Sequence, residues 1–198
     1  MPRRPLVRSV RTRQFAINAV LAVLFGCSST DTTGSVYAPP TESERDPQRA
    51  HALTEEAATW ITKDPEEAER LLREALTADL YHGPAHNNLG VLHLQHDKLY
   101  EAAHEFEWAR KLLPGHPDPR LNLALVLERA GRPSEALDSY NAALEIAPEH
   151  VPTMQGLARL LVRTGREDPR LEGLFETIAL RGENESWRQW ARQQMSRR

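Results

Sequence analysis

Between residues 49 and 184 the alternation of small, bulky and polar positions repeats every 34 residues. Ala68, Ala102 and Ala136 stand 34 apart, as do Ala75, Ala109 and Ala143, and Leu72, Phe106 and Tyr140 share one offset between them. A second column runs through Leu89, Leu123 and Leu157, each followed by a small residue, Gly90, Ala124 or Ala158. These apolar positions fall three and four residues apart, the spacing of one helix face. Gly131 and Gly165 recur at the same period and mark a turn inside the unit; Pro114 and Pro148 mark its end. The pattern predicts two helices per unit, with small residues where helices cross and one bulky residue filling the gap.

One helix pair cannot bury its own apolar face, whereas about three or more stacked pairs can. The periodicity predicts four units, 49–82, 83–116, 117–150 and 151–184, the two central ones complete and the outer two degenerate. Glu55-Glu56 interrupts the first, and Arg170 and Thr177 replace the two alanines of the fourth. Asp64-Pro65 and Asp168-Pro169 each read as an N-cap followed by proline at the first helical position. Asn184 is expected to cap a last helix, 185–198, that lays Trp187, Trp190, Ala191 and Met195 over the open end of the stack. A contact site for a partner is the alternative role of those aromatics.

The columns resemble the tetratricopeptide repeat: Leu-Gly early in the first helix, Ala-x₃-Phe/Tyr/Leu-x₂-Ala in the second, then proline. The resemblance covers residues 83–150 in full and implies an all-α, right-handed α-α superhelix of about four helix pairs plus a C-terminal capping helix. It also implies a protein- or peptide-binding scaffold whose first helices line a concave face. The inward positions it implies include Asn87, Asn88, Val91, Leu94 and Gln95; Asp118, Leu121, Asn122, Leu125, Glu128 and Arg129; and Gln155, Arg159, Val162 and Arg163. Asn88 and Asn122 hold one position in consecutive units, and an amide offers both donor and acceptor to a peptide backbone. Asparagine as the ordinary residue there is the alternative. Arg129, Arg159 and Arg163 form a candidate basic patch suited to a peptide carboxylate, an internally paired or solvated face being the other reading.

The first 27 residues read differently. Arg3, Arg4, Arg8, Arg11 and Arg13 precede an apolar run from Phe15 to Phe25, broken by Asn18, and Leu24-Phe25-Gly26-Cys27 closes it. As a helix this run spans only ~16 Å, about half the hydrocarbon thickness of a bilayer, so it fits a secretory signal rather than a membrane span. The closing tetrapeptide resembles the lipobox of bacterial lipoproteins, with Phe25 larger than the residue usual there. That resemblance implies a signal peptide over 1–26 and lipidation of Cys27, a membrane anchor facing the periplasm. Ser28 resembles the pattern that sorts such proteins to an outer membrane. A signal cleaved elsewhere, with Cys27 incidental, is the alternative. Residues 27–48 are polar and rich in Ser, Thr and Pro, and are expected to form a disordered tether.

Composition narrows the functions. The net charge of −3 includes five arginines of the leader; without them 20 basic residues face 28 acidic ones, a charge of −8. That sign disfavours a nucleic-acid partner. Cys27 is the only cysteine, which excludes an intrachain disulfide and a cysteine metal site. His82, His86, His93, His96 and His104 crowd one unit, but Gly83-Pro84 keeps His82 and His86 off a common helix, and no metal is expected. No nucleophile elbow, phosphate loop or zinc helix is present. The expectation is therefore a non-enzymatic scaffold of the bacterial envelope, without cofactor or small-molecule substrate, capturing a partner segment in its groove. The rival is a constitutive structural or self-associating subunit with no groove ligand.

Overall fold

The computed structural model describes residues 45–197, which contain nine helices and no strand. They run α1 (Pro47–Trp60), α2 (Pro65–Ala78), α3 (Gly83–Gln95), α4 (Leu99–Leu112), α5 (Asp118–Arg129), α6 (Pro133–Ile146), α7 (Val151–Thr164), α8 (Leu171–Arg181) and α9 (Glu185–Ser196). Each odd helix packs on the even helix that follows it, and each even helix packs on the next odd one. The first helices of successive units, α1, α3, α5 and α7, also touch in series. The result is an all-α tetratricopeptide-type solenoid. None of the described helices is long and apolar enough to cross a membrane. The leader, Cys27, the tether up to residue 44 and residue 198 lie outside the described residues.

The 34-residue columns become the contacts that hold the stack. Ala68, Ala75, Ala102, Ala109, Ala136 and Ala143 are fully buried, and so are Leu72, Phe106 and Tyr140. Gly90 shows why the small column is needed, because a Cβ there would lie 2.7 Å from the Phe106 ring. The turns inside the units follow the same period. Gly131 (φ 72°) and Gly165 (φ 62°) occupy the left-handed region, and Asp97, 34 residues before Gly131, adopts it too (φ 58°). Aspartate tolerates this conformation better than most side chains do, so the column of turns has a third member that a search for glycine misses.

The ends depart from expectation in two places. Asp46 Oδ1 accepts the Arg49 N–H at 2.9 Å, and α1 starts at Pro47, so the last residues assigned to the tether belong to the first helix. Just before it, the Arg45 fork donates to both oxygens of the buried Asp79 at 2.8 and 3.1 Å, and the Asp46 N–H donates to the Ala78 carbonyl at 2.8 Å. These bonds tie the start of the chain to the end of α2. The second departure is Asp168, which does not cap α8. Its carboxylate is taken by the Arg170 guanidinium and the Arg170 N–H, and the helix starts at Leu171. Asp64 and Asn184, by contrast, do cap α2 and α9, accepting from Glu67 and Trp187.

At the C-terminal end, α9 lies on α8 with Ala191 buried. Trp187, Trp190 and Met195 pack on the cluster that holds Leu174, Phe175 and Ile178. The Trp190 ring meets Phe175 edge-on at 5.6 Å and Trp187 at 5.4 Å, the geometry aromatic quadrupoles favour.

The Arg45–Asp79 pair gives the solenoid an acid-sensitive joint. The hydrogen bond from Arg45, helped by the Tyr81 N–H, outweighs burial and holds the Asp79 carboxyl below the ordinary range. A carboxyl lowered on folding contributes stability that is complete above about pH 4 and is lost as pH falls through its folded value. Arg45→Ala should therefore lower the urea midpoint at neutral pH, and the gap from wild type should close as acid protonates Asp79. A gap that stays constant down to the acid limit would show that the pair contributes nothing.

Candidate functional site

The inner face of the array carries a cationic cluster built around one buried carboxylate. On α5, Leu121, Leu123, Leu125 and Leu127 lead up to Glu128, which has only 4% of its side chain exposed. A buried carboxylate must be paired or hydrogen-bonded to be tolerated. Three side chains do this. The Tyr140 hydroxyl on α6 donates to Oε1. Arg159 Nη2 donates to the same oxygen at 3.3 Å, and Arg163 Nη2, one turn further along α7, stands 2.7 Å from Oε2. Burial first, and then the neighbouring carboxylate, push the Tyr140 hydroxyl well above the ordinary phenol range, so it remains a donor.

Arg129 stands beside this network and is held separately. Its Nη1 donates to the Leu94 carbonyl at 2.8 Å and lies 3.9 Å from Asp97. Arg129, Arg159 and Arg163 are 43–53% exposed, so each guanidinium keeps N–H groups turned to solvent. Together with Leu94, Leu125 and Glu128 they line a cavity of about 320 Å³. Arg159 also lies over the Trp187 ring, 5.9 Å from its centre, a distance at which a cation is still attracted to the ring face. The cavity thus presents three planar cations and two leucines against one buried anion.

The other sequence-predicted positions fall into two groups. Asn87, Asn88 and Asn122 are half-buried neighbours on α3 and α5, but their partnering is shifted by one residue. Asn122 Nδ2 donates to Asn87 Oδ1 at 3.1 Å, and Asn88 Oδ1 lies 3.5 Å from Asn87 Nδ2. Arg129 reaches Leu94 with the same offset of 35 residues. Both contacts join α3 and α5 at an offset one residue beyond the sequence period. Gln155, expected inward, is only 2% exposed. In the orientation that satisfies its amide, it donates to Glu183 Oε2 at 2.9 Å and accepts the Glu183 N–H at 3.0 Å. That makes it a brace between α7 and the connection from α8 to α9, not a groove residue.

The histidines do not converge. His86 and His93 are buried while His104 is largely exposed, and the described residues bring together no group of three metal-binding side chains. Burial pulls both His82 and His93 below the ordinary histidine range. Sequence reasoning placed Tyr140 among the packing residues and missed its second task. The available signal was a hydroxyl in a column otherwise filled by Leu72 and Phe106, in the same unit as a glutamate at an inward position.

The helix pairs form a solenoid with a polar, cationic inner cavity. Comparison with known proteins gives the same fold. A family model described as tetratricopeptide repeat matches residues 92–151. No curated protein matches the sequence. The first TPR of Spaghetti (RPAP3), solved bound to the HSP90 peptide SRMEEVD, is similar with 18% identity and a TM-score of 0.58, over 62% of this chain and 98% of that one. MamA is similar with 17% identity and a TM-score of 0.56, over 77% and 84%. So is an O-GlcNAc transferase from Thermobaculum terrenum, with 24% identity and a TM-score of 0.60, over 77% of this chain but 27% of that one. At these identities the likeness concerns the fold, an all-α tetratricopeptide-type solenoid.

Removing the Tyr140 hydroxyl tests whether Glu128 is held as described. Tyr140→Phe keeps the ring in its packing place and withdraws one donor from a buried carboxylate, a loss of about 1–3 kcal/mol. Urea unfolding should show a lower midpoint with an unchanged slope. An unaltered midpoint would mean that the two arginines alone satisfy Glu128.

Proposed function

We propose that this protein is a lipid-anchored scaffold of the bacterial envelope that captures an acidic peptide segment of a partner in its inner groove. The convergence of Arg129, Arg159 and Arg163 on one cavity carries the reading. The chain outside the leader is acidic, so three guanidinium groups held on the inner face form a local reversal of charge. Planar guanidinium groups bind carboxylates through paired N–H bonds. Asn88 and Asn122 lie further along the same face, where amide groups suit a peptide backbone. The bound RPAP3 neighbour supports peptide capture as a use of this architecture. The lipid anchor rests on the leader and on Cys27, the single cysteine, at the end of its apolar run.

Arg159 and Arg163 also neutralise Glu128, so reversing their charge would bring carboxylates together and disturb the fold. Arg129 is free of that problem because it is held by a carbonyl. With a photo-crosslinking residue at Val162, which is 37% exposed on the same helix as Arg159, the native host should yield a defined adduct. Arg129→Glu should reduce that adduct about tenfold, the size of effect expected when a contacting charge is reversed. An adduct insensitive to Arg129→Glu would favour a constitutive subunit held by other faces.

The anchor is tested separately. Cys27→Ala should move the protein from the membrane fraction to the soluble fraction, because acyl chains supply the attachment at ~0.8 kcal/mol per buried CH₂. Unchanged membrane association would exclude the lipid anchor and leave the groove reading intact.

A further inference from the structure

Among the described residues, the large apolar side chains left exposed are Trp60, Tyr100, Val162 and Leu180. Tyr100 and Leu180 lie on second helices, α4 and α8. Trp60 and Val162 share one position of the unit, three lengths of the 34-residue period apart. The same column runs through Leu94 and Glu128, which both line the inner cavity. Trp60 therefore stands on the inner face of α1, at 37% exposure. Packing does not demand an aromatic there, since leucine, glutamate and valine hold the position in the other units.

Charge divides the groove in two. The three inward columns around the cavity read Ala57, Trp60 and Ile61 in the first unit and Val91, Leu94 and Gln95 in the second, none of them charged. In the third and fourth units they carry Glu128 and the three arginines. One end of the groove thus suits an apolar group and the other a carboxylate. Lys63 Nζ lies 5.8 Å from the Trp60 ring centre, and its flexible stem lets it swing aside.

The helices set the distance between the two ends. Successive first helices touch in series, and packed helices lie about 8–10 Å apart axis to axis. From Trp60 on α1 to Glu128 and Arg129 on α5 is two such steps, about 16–20 Å. An extended chain covers that span in about five or six residues, whereas a helix needs about eleven to thirteen. Asn88, on the helix between, offers an amide to a backbone whose N–H and C=O groups are free, as in an extended chain. We infer that Trp60 is a second anchor of the groove, and that the captured segment is an extended acidic peptide carrying a large apolar side chain about five or six residues from its acid. This rests on the acidic-peptide reading of the arginine cavity and adds to it the apolar anchor and the spacing.

Titration of the isotope-labelled full chain with capped heptapeptides tests the anchor, following the Trp60 indole N–H resonance identified by its loss in Trp60→Phe. The first probe is Phe-Ser-Gly-Ser-Gly-Asp-Glu, which sets its acids at the required distance from the ring. The second has serine in place of phenylalanine, the third has phenylalanine moved next to the acids, and the fourth has Asn-Gln in place of Asp-Glu. The first should move the Trp60 resonance and bind at least about fivefold more tightly than the second or the third. Trp60→Ser should remove that advantage. The probes are compared on the unaltered protein, so the result holds even if Trp60→Ser weakens the fold. The anchor is overturned, with the acidic-peptide reading intact, if the first probe binds no better than the second or leaves the Trp60 resonance in place. Equal binding of the first and third overturns the spacing. Equal binding of the first and fourth, with the Trp60 resonance moved, supports the anchor and overturns the acidic reading. Failure of every probe to bind overturns both.

Discussion

Every unit of this solenoid has an apolar face that it cannot cover by itself. Burial is achieved only between neighbours, and the contact that permits it is a ring or bulky aliphatic group seated against a residue with little or no side chain. Tyr140 against Gly156 is the tightest case: a single added carbon would meet the ring at 2.5 Å, and at Gly90 it would meet Phe106 at 2.7 Å. Leu72 and Tyr140 repeat the bulky role in the neighbouring units, each fully buried. From this constraint follow the alanine columns, the short turns and the need for a closing helix. The last pair has no neighbour, and α9 covers it with Trp187 and Trp190. In a stack held by nearest-neighbour interfaces, such a cap decides whether the terminal unit is stable.

The same constraint explains how a charged site can exist in so plain a scaffold. Tyr140 fills a packing position and still projects its hydroxyl beyond the core, where it meets Glu128. The carboxylate in turn fixes Arg159 and Arg163 from below, leaving much of each guanidinium on the solvent side. Packing, buried polarity and the exposed cations are thus three levels of one column of contacts. Removing charge from α7 would be felt in the interface between the third and fourth units as well as in the groove.

Much of the fold was legible in the amino-acid order because its determinants are local. Side-chain size at a fixed period, proline at helix starts, glycine in the left-handed turns and an asparagine cap each act within a few residues. Where legibility failed, competition among polar groups was the cause. Asp168 had the sequence of a cap, but Arg170 offered its carboxylate a guanidinium as well as an N–H. The Arg45–Asp79 pair joins residues 34 apart through charge, which the apolar pattern does not register. Gln155 had an inward position by periodicity and is buried against Glu183 instead.

The candidate site divides along the same line. The sequence by itself determined the repeat, its helix pairs and the columns that pack them, because the period assigns each position to a face. The inward positions, the three arginines among them, were what the resemblance to the tetratricopeptide repeat implied. Only the tertiary structure decided what those residues do there. Between α3 and α5 it paired Asn122 with Asn87 rather than Asn88, and Arg129 with the Leu94 carbonyl. The meeting of α5, α6 and α7 made Glu128 the shared counter-charge of two arginines. Such pairings depend on ångström-scale distances between helices and on the cost of burying charge. Neither is encoded in a repeat length.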